Sequence, residues 1–251
     1  MKCKAGFGKT DLLVVLGCIV FLMANLGPVG SAGRRRAKEA VCLSNLLKWA
    51  VVWKSYTDDH GGYFPRRGRD WPDSMIAWPD TTRFYYKNPR LLFCPEATKT
   101  IDQGGVNPFM AWYHYIGEYE RYYEGSYCVN LWVSNETGDH KGVVDGFWRT
   151  AGIKGAANVP LLLDGQWTDA DPLHSDEPPE HEDDFWEPNI NEMQRPCVNR
   201  HVGAVNAVFL DFAVRKIGLK QLWELPWHKN WNPDDYPPPL WPEWMQNFKN
   251  Y

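Results

Sequence analysis

GFGKTDLLVVLGCIVFLMANLGP, residues 6–28, is the stretch that decides how the rest of this 251-residue chain is interpreted. Two lysines, Lys2 and Lys4, precede it, and Asp11 stands directly before an almost unbroken apolar run. A run of this length is enough for a helix that spans the ~30 Å hydrocarbon core of a bilayer. A carboxylate at the mouth of such a helix is costly unless an opposite charge neutralises it. The stretch therefore predicts a membrane-spanning helix over residues 7–30 whose acid needs a partner.

The order of Gly6, Phe7, Asp11 and the apolar run resembles the class III signal of type IV prepilins and type II secretion pseudopilins. The resemblance implies that a prepilin peptidase cuts between Gly6 and Phe7, removes residues 1–6 as a leader, and N-methylates the new N-terminus. It also implies that Asp11 is the assembly carboxylate, which pairs with the N-terminal amine of a neighbouring subunit in a fibre. The chain departs from the family in having Asp where Glu is usual.

Three other interpretations of the same segment remain open. Residues 12–29 also fit a secretory signal peptide, since the small residues at 30–32 offer a cleavage site. They equally fit a plain signal anchor, for which roughly 17–25 apolar residues are enough. Residues 15–18, Val-Leu-Gly-Cys, resemble a lipoprotein box, although the apolar run continues past the cysteine.

The charge of the chain gives no sign of a nucleic-acid partner. The net charge is −4 and the isoelectric point is near 6.0, whereas nucleic-acid-binding domains are usually strongly basic. A dense basic cluster, residues 34–36 with Lys38, follows the apolar run and would by itself favour a cytoplasmic position. The prepilin resemblance implies the opposite orientation: a single-pass inner-membrane protein with a cytoplasmic N-terminus and a periplasmic or extracellular head that can enter a surface fibre.

Four of the six cysteines lie beyond the leader and the apolar run: Cys42, Cys94, Cys128 and Cys197. An even number in a translocated domain predicts two disulfides, for which three connectivities exist. We favour Cys42–Cys94 together with Cys128–Cys197, because the first bridge would tie the helix to the loop that follows it. The spacing of Cys and His residues does not predict a zinc site.

Helical periodicity continues from residue 31 into the head. A helix continuation is predicted over residues 31–60, and the glycine pair at 61–62 places its end near residue 58. The spacing predicts one buried face, which is made of Leu43, Leu46, Leu47, Ala50 and Val51.

Residues 61–251 are predicted to form the globular head. Short apolar and β-branched runs predict strands at 126–133, 143–148, 158–163, 205–210 and 213–217. Residues 164–187 form an acidic loop, and residues 226–251 form a Pro- and Trp-rich tail that we expect to be irregular and to wrap over the head. The predicted fold class is α+β and pilin-like: a long N-terminal membrane-spanning helix packed on a small antiparallel β-sheet with long loops.

Two further blocks resemble a bacterial pilin-like family that has a prepilin-type signal and a C-terminal H-x9-D-G motif. The first block begins with Cys42 and Asn45 in the order Cys-x-x-Asn-Leu, and the downstream Cys94, followed by Pro, fits the same family. The second block contains His201 and Asp211, which are separated by nine residues as in the motif. The resemblance therefore marks these five residues as family positions.

Phe212 stands where the motif has Gly. A two-residue hairpin turn at this point needs positive φ, which Gly adopts at no steric cost, so Phe212 must be strained or use a different turn. We interpret His201 and Asp211 as a hydrogen-bonded pair that orders a hairpin. We predict no catalytic residues and no enzymatic activity, since no nucleophile elbow or paired-carboxylate motif is recognisable.

Calcium is the one cofactor that the sequence suggests, and no other is predicted. Asp164, Asp169 and Asp171 in the acidic loop supply the hard oxygen ligands that calcium prefers. Major pseudopilins of type II secretion hold calcium in a C-terminal loop, so the resemblance points the same way, although EF-hand spacing is absent.

The predicted function is that of a prepilin-like subunit, processed by a prepilin peptidase and assembled into a pilus or a type II secretion-like pseudopilus. The predicted partners are other pilin or pseudopilin subunits, the prepilin peptidase and the inner membrane, without nucleic acid. The alternative is a membrane-anchored surface domain that binds glycans through exposed Trp and Tyr and does not polymerise. A periplasmic enzyme that uses the acidic loop is a weaker third interpretation.

Overall fold

A computed structural model of the chain describes residues 8–68, 74–116, 121–184, 191–235 and 237–249. The predicted cleavage site, Gly6 and Phe7, lies outside these residues. The chain divides into two compact units, Met1–Lys38 and Glu39–Tyr251. The second unit therefore includes the C-terminal part of the predicted helix together with residues 61–251.

The long helix α1 runs from Lys9 to Asp59. Gly61 and Gly62 follow at φ +64° and +88°, and the Gly62 N–H donates to the Thr57 carbonyl at 2.7 Å. Left-handed glycines of this kind end helices because they carry no Cβ, so the predicted end near residue 58 is confirmed.

The predicted membrane span is wrong. In the part of the chain that the structure describes, no helix combines the length and the apolar character needed to cross a membrane. Polar and charged residues occupy much of α1 from Ser31 onward, so the apolar character of the helix does not extend beyond its first part. The prediction of a single-pass inner-membrane protein, with a cytoplasmic N-terminus and the head outside, is overturned by this finding.

The face that α1 buries differs from the one that we predicted. Leu46 and Ala50 are buried as expected, but Leu47 and Val51 are 54% and 66% exposed. The prediction counted aliphatic residues and omitted Cys, Trp and Tyr, which complete a 4-3-4-3 spacing on the true face. That face is made of Cys42, Leu46, Trp49, Trp53 and Tyr56.

The head contains a five-stranded sheet and two short ribbons. The strands are β1 (Trp112–Ile116), β2 (Arg121–Gly125), β3 (Tyr127–Asn130), β4 (Asp139–His140), β5 (Val143–Val144), β6 (Pro160–Asp164), β7 (Asp169–Ala170), β8 (Ala204–Phe209) and β9 (Val214–Gly218). A second α-helix, α2, is short and spans Trp78–Thr81. The 3-10 turns are Pro89–Leu92, Ile101–Gln103, Leu131–Val133, Ala156–Asn158, Glu192–Gln194, Lys220–Trp223, Pro233–Asp235 and Glu243–Met245. Strands β1 and β2 form one ribbon, and β4 and β5 form the other.

The five-stranded sheet is mixed, so the predicted small antiparallel sheet is wrong, although the α+β content holds. Its order is β7-β3-β6-β8-β9. The pairs β3–β6, β6–β8 and β8–β9 are antiparallel, whereas β7 pairs with β3 in parallel. Strand β7 comes from the segment that we predicted as an acidic loop, and it can join the sheet because Arg195 neutralises Asp169.

Side chains pack on both faces of this sheet. On one face, α1 residues such as Trp49 and Trp53 share a core with Leu162 and Val208. On the other face, Leu163, Val205 and their neighbours pack against the segments that follow β9. Met245 is fully buried there and Trp241, Trp244 and Phe248 pack beside it, which confirms that the tail wraps over the head.

Candidate metal centre

Four side chains from four separate segments meet inside the head. Cys42 lies on the buried face of α1, and Cys94 follows the 3-10 turn Pro89–Leu92. Asp164 is the last residue of β6, and His201 precedes β8 in a tight turn. The exposed fractions are 0% for Cys42, Cys94 and Asp164 and 2% for His201. We call these four residues the buried ligand cluster.

The polar atoms of the cluster face one another. Cys42 Sγ lies 3.7 Å from Asp164 Oδ1, Cys94 Sγ lies 3.4 Å from His201 Nε2, and His201 Nε2 lies 3.1 Å from Asp164 Oδ2. One ligand atom from each residue can be chosen so that all four lie within 4.8 Å of one another. Among the described residues, this is the group of His, Cys, Asp and Glu side chains that could hold a metal ion.

A layer of polar groups holds the cluster in place. The Asn206 N–H donates to Asp164 Oδ2 at 2.9 Å, and the Arg200 guanidinium lies 3.8 Å from the other carboxylate oxygen. The Tyr127 hydroxyl donates to Cys42 Sγ at 3.5 Å. Asn45 donates to the Phe93 carbonyl at 3.1 Å, and this contact ties the chain just before Cys94 to α1.

The charges of the cluster depend on one another. Burial alone would raise the pKa of Asp164, but His201 and Arg200 outweigh it and hold the pKa below its usual value. Burial alone would lower the pKa of His201, yet the Asp164 carboxylate raises it to about 10. Burial is also the main reason that the pKa of the Cys94 thiol is well above its usual value. Without a metal ion, the centre is therefore an ion pair beside a protonated thiol.

The burial of the four side chains limits the roles that the buried ligand cluster can have. A substrate cannot reach side chains that are buried to this degree, so the arrangement suits a structural role. Soft thiols, an imidazole and a carboxylate are together the ligand types that zinc takes in closed structural sites.

The structure separates the predicted family positions. Cys42, Cys94 and His201 meet, and Asn45 supports them, but Asp211 is exposed in the turn after β8, where its Oδ1 accepts the Ala213 N–H at 3.0 Å. The partner of His201 is Asp164, so the predicted His201–Asp211 pair is wrong. Asp164 could have been recognised as the acid that ends a fully apolar strand, Pro-Leu-Leu-Leu-Asp.

All four head cysteines are free thiols in the structure, in place of the two predicted disulfides. Cys42 and Cys94 do lie close together, but they belong to the buried ligand cluster, which also contains Asp164 and His201. Cys128 and Cys197 are also buried, and burial raises the pKa of both thiols.

The three predicted calcium ligands lie in different surroundings. Asp164 belongs to the buried ligand cluster, while Asp169 forms a 2.8 Å ion pair with Arg195. Asp171 contacts a set of cationic or imidazole groups: His140 at 2.6 Å, Lys141 at 2.7 Å and Arg67 at 3.1 Å. Burial would raise the pKa of Asp171, but these partners lower it. These three acids are thus paired with cationic or imidazole side chains of the chain itself.

The turn beside His201 carries backbone strain. Val202 has φ +57° and is 74% exposed, and Gly203 follows at φ +74°. A β-branched residue in the left-handed region costs about 1–2 kcal/mol. The turn adopts this unfavourable backbone conformation in the same place where it holds His201 beside Asp164.

We expect Val202→Asn to raise the free energy of unfolding by about 1 kcal/mol, because Asn tolerates the left-handed region and Val202 loses little packing. Urea unfolding of the full-length protein measures the change. The matched control is Val144→Asn in β5, which is 60% exposed and lies outside the left-handed region; we expect that substitution to be neutral or slightly destabilising. Equal effects at the two positions would contradict the prediction.

Asp11, the predicted assembly carboxylate, lies within the residues that the structure describes. Asp11 is exposed near the start of α1, and its Oδ2 accepts the Gly8 N–H at 2.9 Å. An acid in the first turn also interacts favourably with the helix dipole, so Asp11 has a local role in its own helix.

Comparison with known proteins adds no assignment, since no family model, no curated protein and no solved structure matches the chain.

Proposed function

We propose that this chain is a prepilin-like subunit, cut by a prepilin peptidase and assembled with further copies into a pilus or a type II secretion-like pseudopilus. One observation carries the proposal. Along the first part of α1, seven aliphatic side chains are 44% to 69% exposed: Leu12, Leu13, Val14, Val15, Leu16, Ile19 and Val20.

These side chains surround the helix. Successive residues of an α-helix are about 100° apart, so five consecutive apolar residues at 12–16 point in every direction around the axis. Burying an aliphatic side chain of this size is worth about 1.5–3 kcal/mol. A single docked partner would cover only one side of such a helix. Contact with several helices of other copies, as in a fibre core, covers all sides.

Asp11 fits the same arrangement. In a core of packed apolar helices, an unpaired carboxylate would be expensive. Cleavage after Gly6 would create an amine at Phe7, and the amine of a neighbouring copy can neutralise Asp11. The proposed charge pair therefore sets how far one subunit is shifted along the fibre relative to the next.

The head also presents an apolar groove. A depression of about 960 Å³ runs beside α1 and is lined in part by Val41, Val51, Tyr86, Leu91 and Phe93. Val41 and Val51 are 50% and 66% exposed. We assign this groove to contact with the head of the next copy, because it adjoins the exposed side of the same helix that carries the assembly segment.

The glycan-binding alternative, through exposed Trp and Tyr, is supported by Tyr but not by Trp. Stacking on sugars needs exposed aromatic faces, and Tyr63, Tyr113, Tyr115 and Tyr122 are 41% to 69% exposed. Of the 14 Trp in the chain, however, none of the twelve within the described residues is exposed. Eight of these twelve are buried and four are half-buried. An enzymatic role for His201 also lacks support, since that side chain is enclosed.

The mature N-terminus tests the proposal directly. We expect mass spectrometry of the protein from its own host to find a chain that begins at N-methylated Phe7. A start near residue 33 would indicate a released domain, and an intact leader would indicate an unprocessed chain. Either result would contradict the proposed function.

We expect Asp11→Ala to abolish incorporation into fibres, because it leaves the amine of a neighbouring copy unpaired in an apolar core. Breaking a buried charge pair costs about 3–5 kcal/mol, which corresponds to at least ~100-fold weaker association. The measurement is the amount of the subunit in sheared fibres, quantified by immunoblot in a strain that lacks the wild-type chain.

Two matched variants accompany Asp11→Ala. Asp11→Glu keeps the carboxylate and should restore incorporation, while Asp102→Ala removes an exposed acid of the head and should have no effect. Wild-type levels of Asp11→Ala in the fibre would refute the role of the carboxylate.

A further inference from the structure

We propose that Cys42, Cys94, Asp164 and His201 bind one zinc ion in a closed, tetrahedral, structural site. This inference goes beyond the proposed assembly function and does not depend on it. It rests on four buried ligand atoms that already converge from distant parts of the chain.

The distances fit a zinc ion. With Zn–S near 2.3 Å and Zn–N and Zn–O near 2.0 Å, a tetrahedral site has ligand separations of about 3.5 Å from sulfur to nitrogen or oxygen and about 3.3 Å from nitrogen to oxygen. With Asp164 Oδ2 as the carboxylate ligand, the cluster has 3.8 Å from Cys42 Sγ to this oxygen, 3.1 Å from His201 Nε2 to the same oxygen, and 3.4 Å from Cys94 Sγ to His201 Nε2. These three edges are close to the tetrahedral values.

The donor set selects the class of metal. Calcium and magnesium prefer all-oxygen sites, and this cluster offers one carboxylate beside two sulfur atoms and one nitrogen. Thiolate and imidazole ligands favour zinc among the abundant ions that lack redox chemistry. Four protein ligands with no open position indicate a structural site, because catalytic zinc keeps a place for water or substrate.

The charges of the filled site balance. Two thiolates and one carboxylate contribute three negative charges, zinc contributes two positive charges, and the imidazole is neutral, so the site retains one negative charge. The Arg200 guanidinium, 3.8 Å from Asp164 Oδ1 and fully buried, supplies the compensating positive charge. A buried site needs such compensation, since an unpaired charge away from water is costly.

The surrounding groups resemble the outer shell of a metal site. The Tyr127 hydroxyl donates to Cys42 Sγ, and the Asn206 N–H donates to Asp164 Oδ2. Hydrogen bonds to ligand atoms orient them and tune their affinity for the metal. By this arrangement, the ion would join α1, the Cys94 loop, the end of β6 and the turn before β8.

The chain contains its own controls. Cys128 and Cys197 are as buried as Cys42 and Cys94, yet within the described residues neither belongs to a group of potential metal ligands. A substitution at these positions removes a buried thiol without removing a proposed ligand.

The test is the metal content of the full-length protein, purified without chelators and measured by inductively coupled plasma mass spectrometry. We expect one zinc per chain in the wild type and in Cys128→Ser and Cys197→Ala. We expect Cys94→Ser and His201→Gln to lose most of the zinc. A wild-type protein without zinc, with another metal in its place, or with a Cys42–Cys94 disulfide in the intact mass would overturn the proposal.

Cobalt substitution keeps the proposal testable if the ligand variants do not fold. Co²⁺ added to the metal-free wild-type chain should give the visible bands of a tetrahedral site together with thiolate-to-cobalt charge transfer in the near ultraviolet. We expect added Zn²⁺ to displace Co²⁺ and abolish both signals. The absence of charge transfer would overturn the assignment of the two cysteines. None of these measurements involves fibres, so a negative result here leaves the test of the mature N-terminus unaffected.

Discussion

In the metal-free protein, replacing Asp164 with Asn is expected to lower the free energy of unfolding by about 3–5 kcal/mol, the cost of breaking a buried ion pair by removing one partner. Asp164 is fully buried and lies 3.1 Å from His201 and 3.8 Å from Arg200. Asn has nearly the same shape, so packing is kept while the negative charge is removed. The two cationic side chains then have no carboxylate beside them.

The measurement is guanidinium unfolding of the full-length protein in its metal-free form. Tryptophan fluorescence follows the unfolding, because several Trp residues lie in the core that contains Cys42. Asp102→Asn is the matched control, since Asp102 is exposed and surface substitutions usually change stability by no more than about 0.5 kcal/mol. A loss below about 1 kcal/mol for Asp164→Asn would show that Asp164 is not the charge on which the cluster depends.

Local sequence signals predicted local structure well. The glycine pair at 61–62 marked the end of α1 because the left-handed conformation there is specific to glycine. The hairpin around Asp211 was also predicted, and β8 and β9 pair in register from Ala204–Gly218 to Val208–Val214. Phe212 occupies the strained position, at φ +61°, where the motif has Gly.

Long-range structure was predicted less well because it depends on contacts that the sequence does not display. The ribbon of β1 and β2 was missed, since its residues mix Tyr, His, Arg and Glu and lack a simple apolar alternation. The parallel strand β7 was missed because its acid, Asp169, looks like a loop residue until Arg195 is placed beside it.

The buried ligand cluster could not be predicted from the sequence either, because it also depends on long-range contacts. The sequence marked Cys42, Cys94 and His201 as family positions, but it offered no short Cys or His spacing from which a metal site could be predicted. Their convergence with Asp164 depends on how α1 packs against the sheet. Asp164 was grouped with the nearby acids because proximity in sequence was the only guide to its partners.

Arg200→Lys is the second substitution for which we expect a large effect. The Arg200 side chain is fully buried and donates to three backbone carbonyls: Nε to Pro108 at 2.7 Å, Nη1 to Ser126 at 2.6 Å and Nη2 to Met110 at 2.8 Å. Lysine keeps the charge, but its single ammonium group cannot reproduce the planar fork that reaches all three carbonyls.

Each buried acceptor that is left without a donor costs about 1–3 kcal/mol, so we expect Arg200→Lys to lower the free energy of unfolding by about 3 kcal/mol. Chemical unfolding of the full-length protein measures the loss. Arg90→Lys, at an exposed position in the same head, is the matched control and should change stability by less than about 0.5 kcal/mol. If the two substitutions had equal effects, the positive charge of Arg200 rather than its hydrogen-bonding geometry would be what stabilises this part of the head.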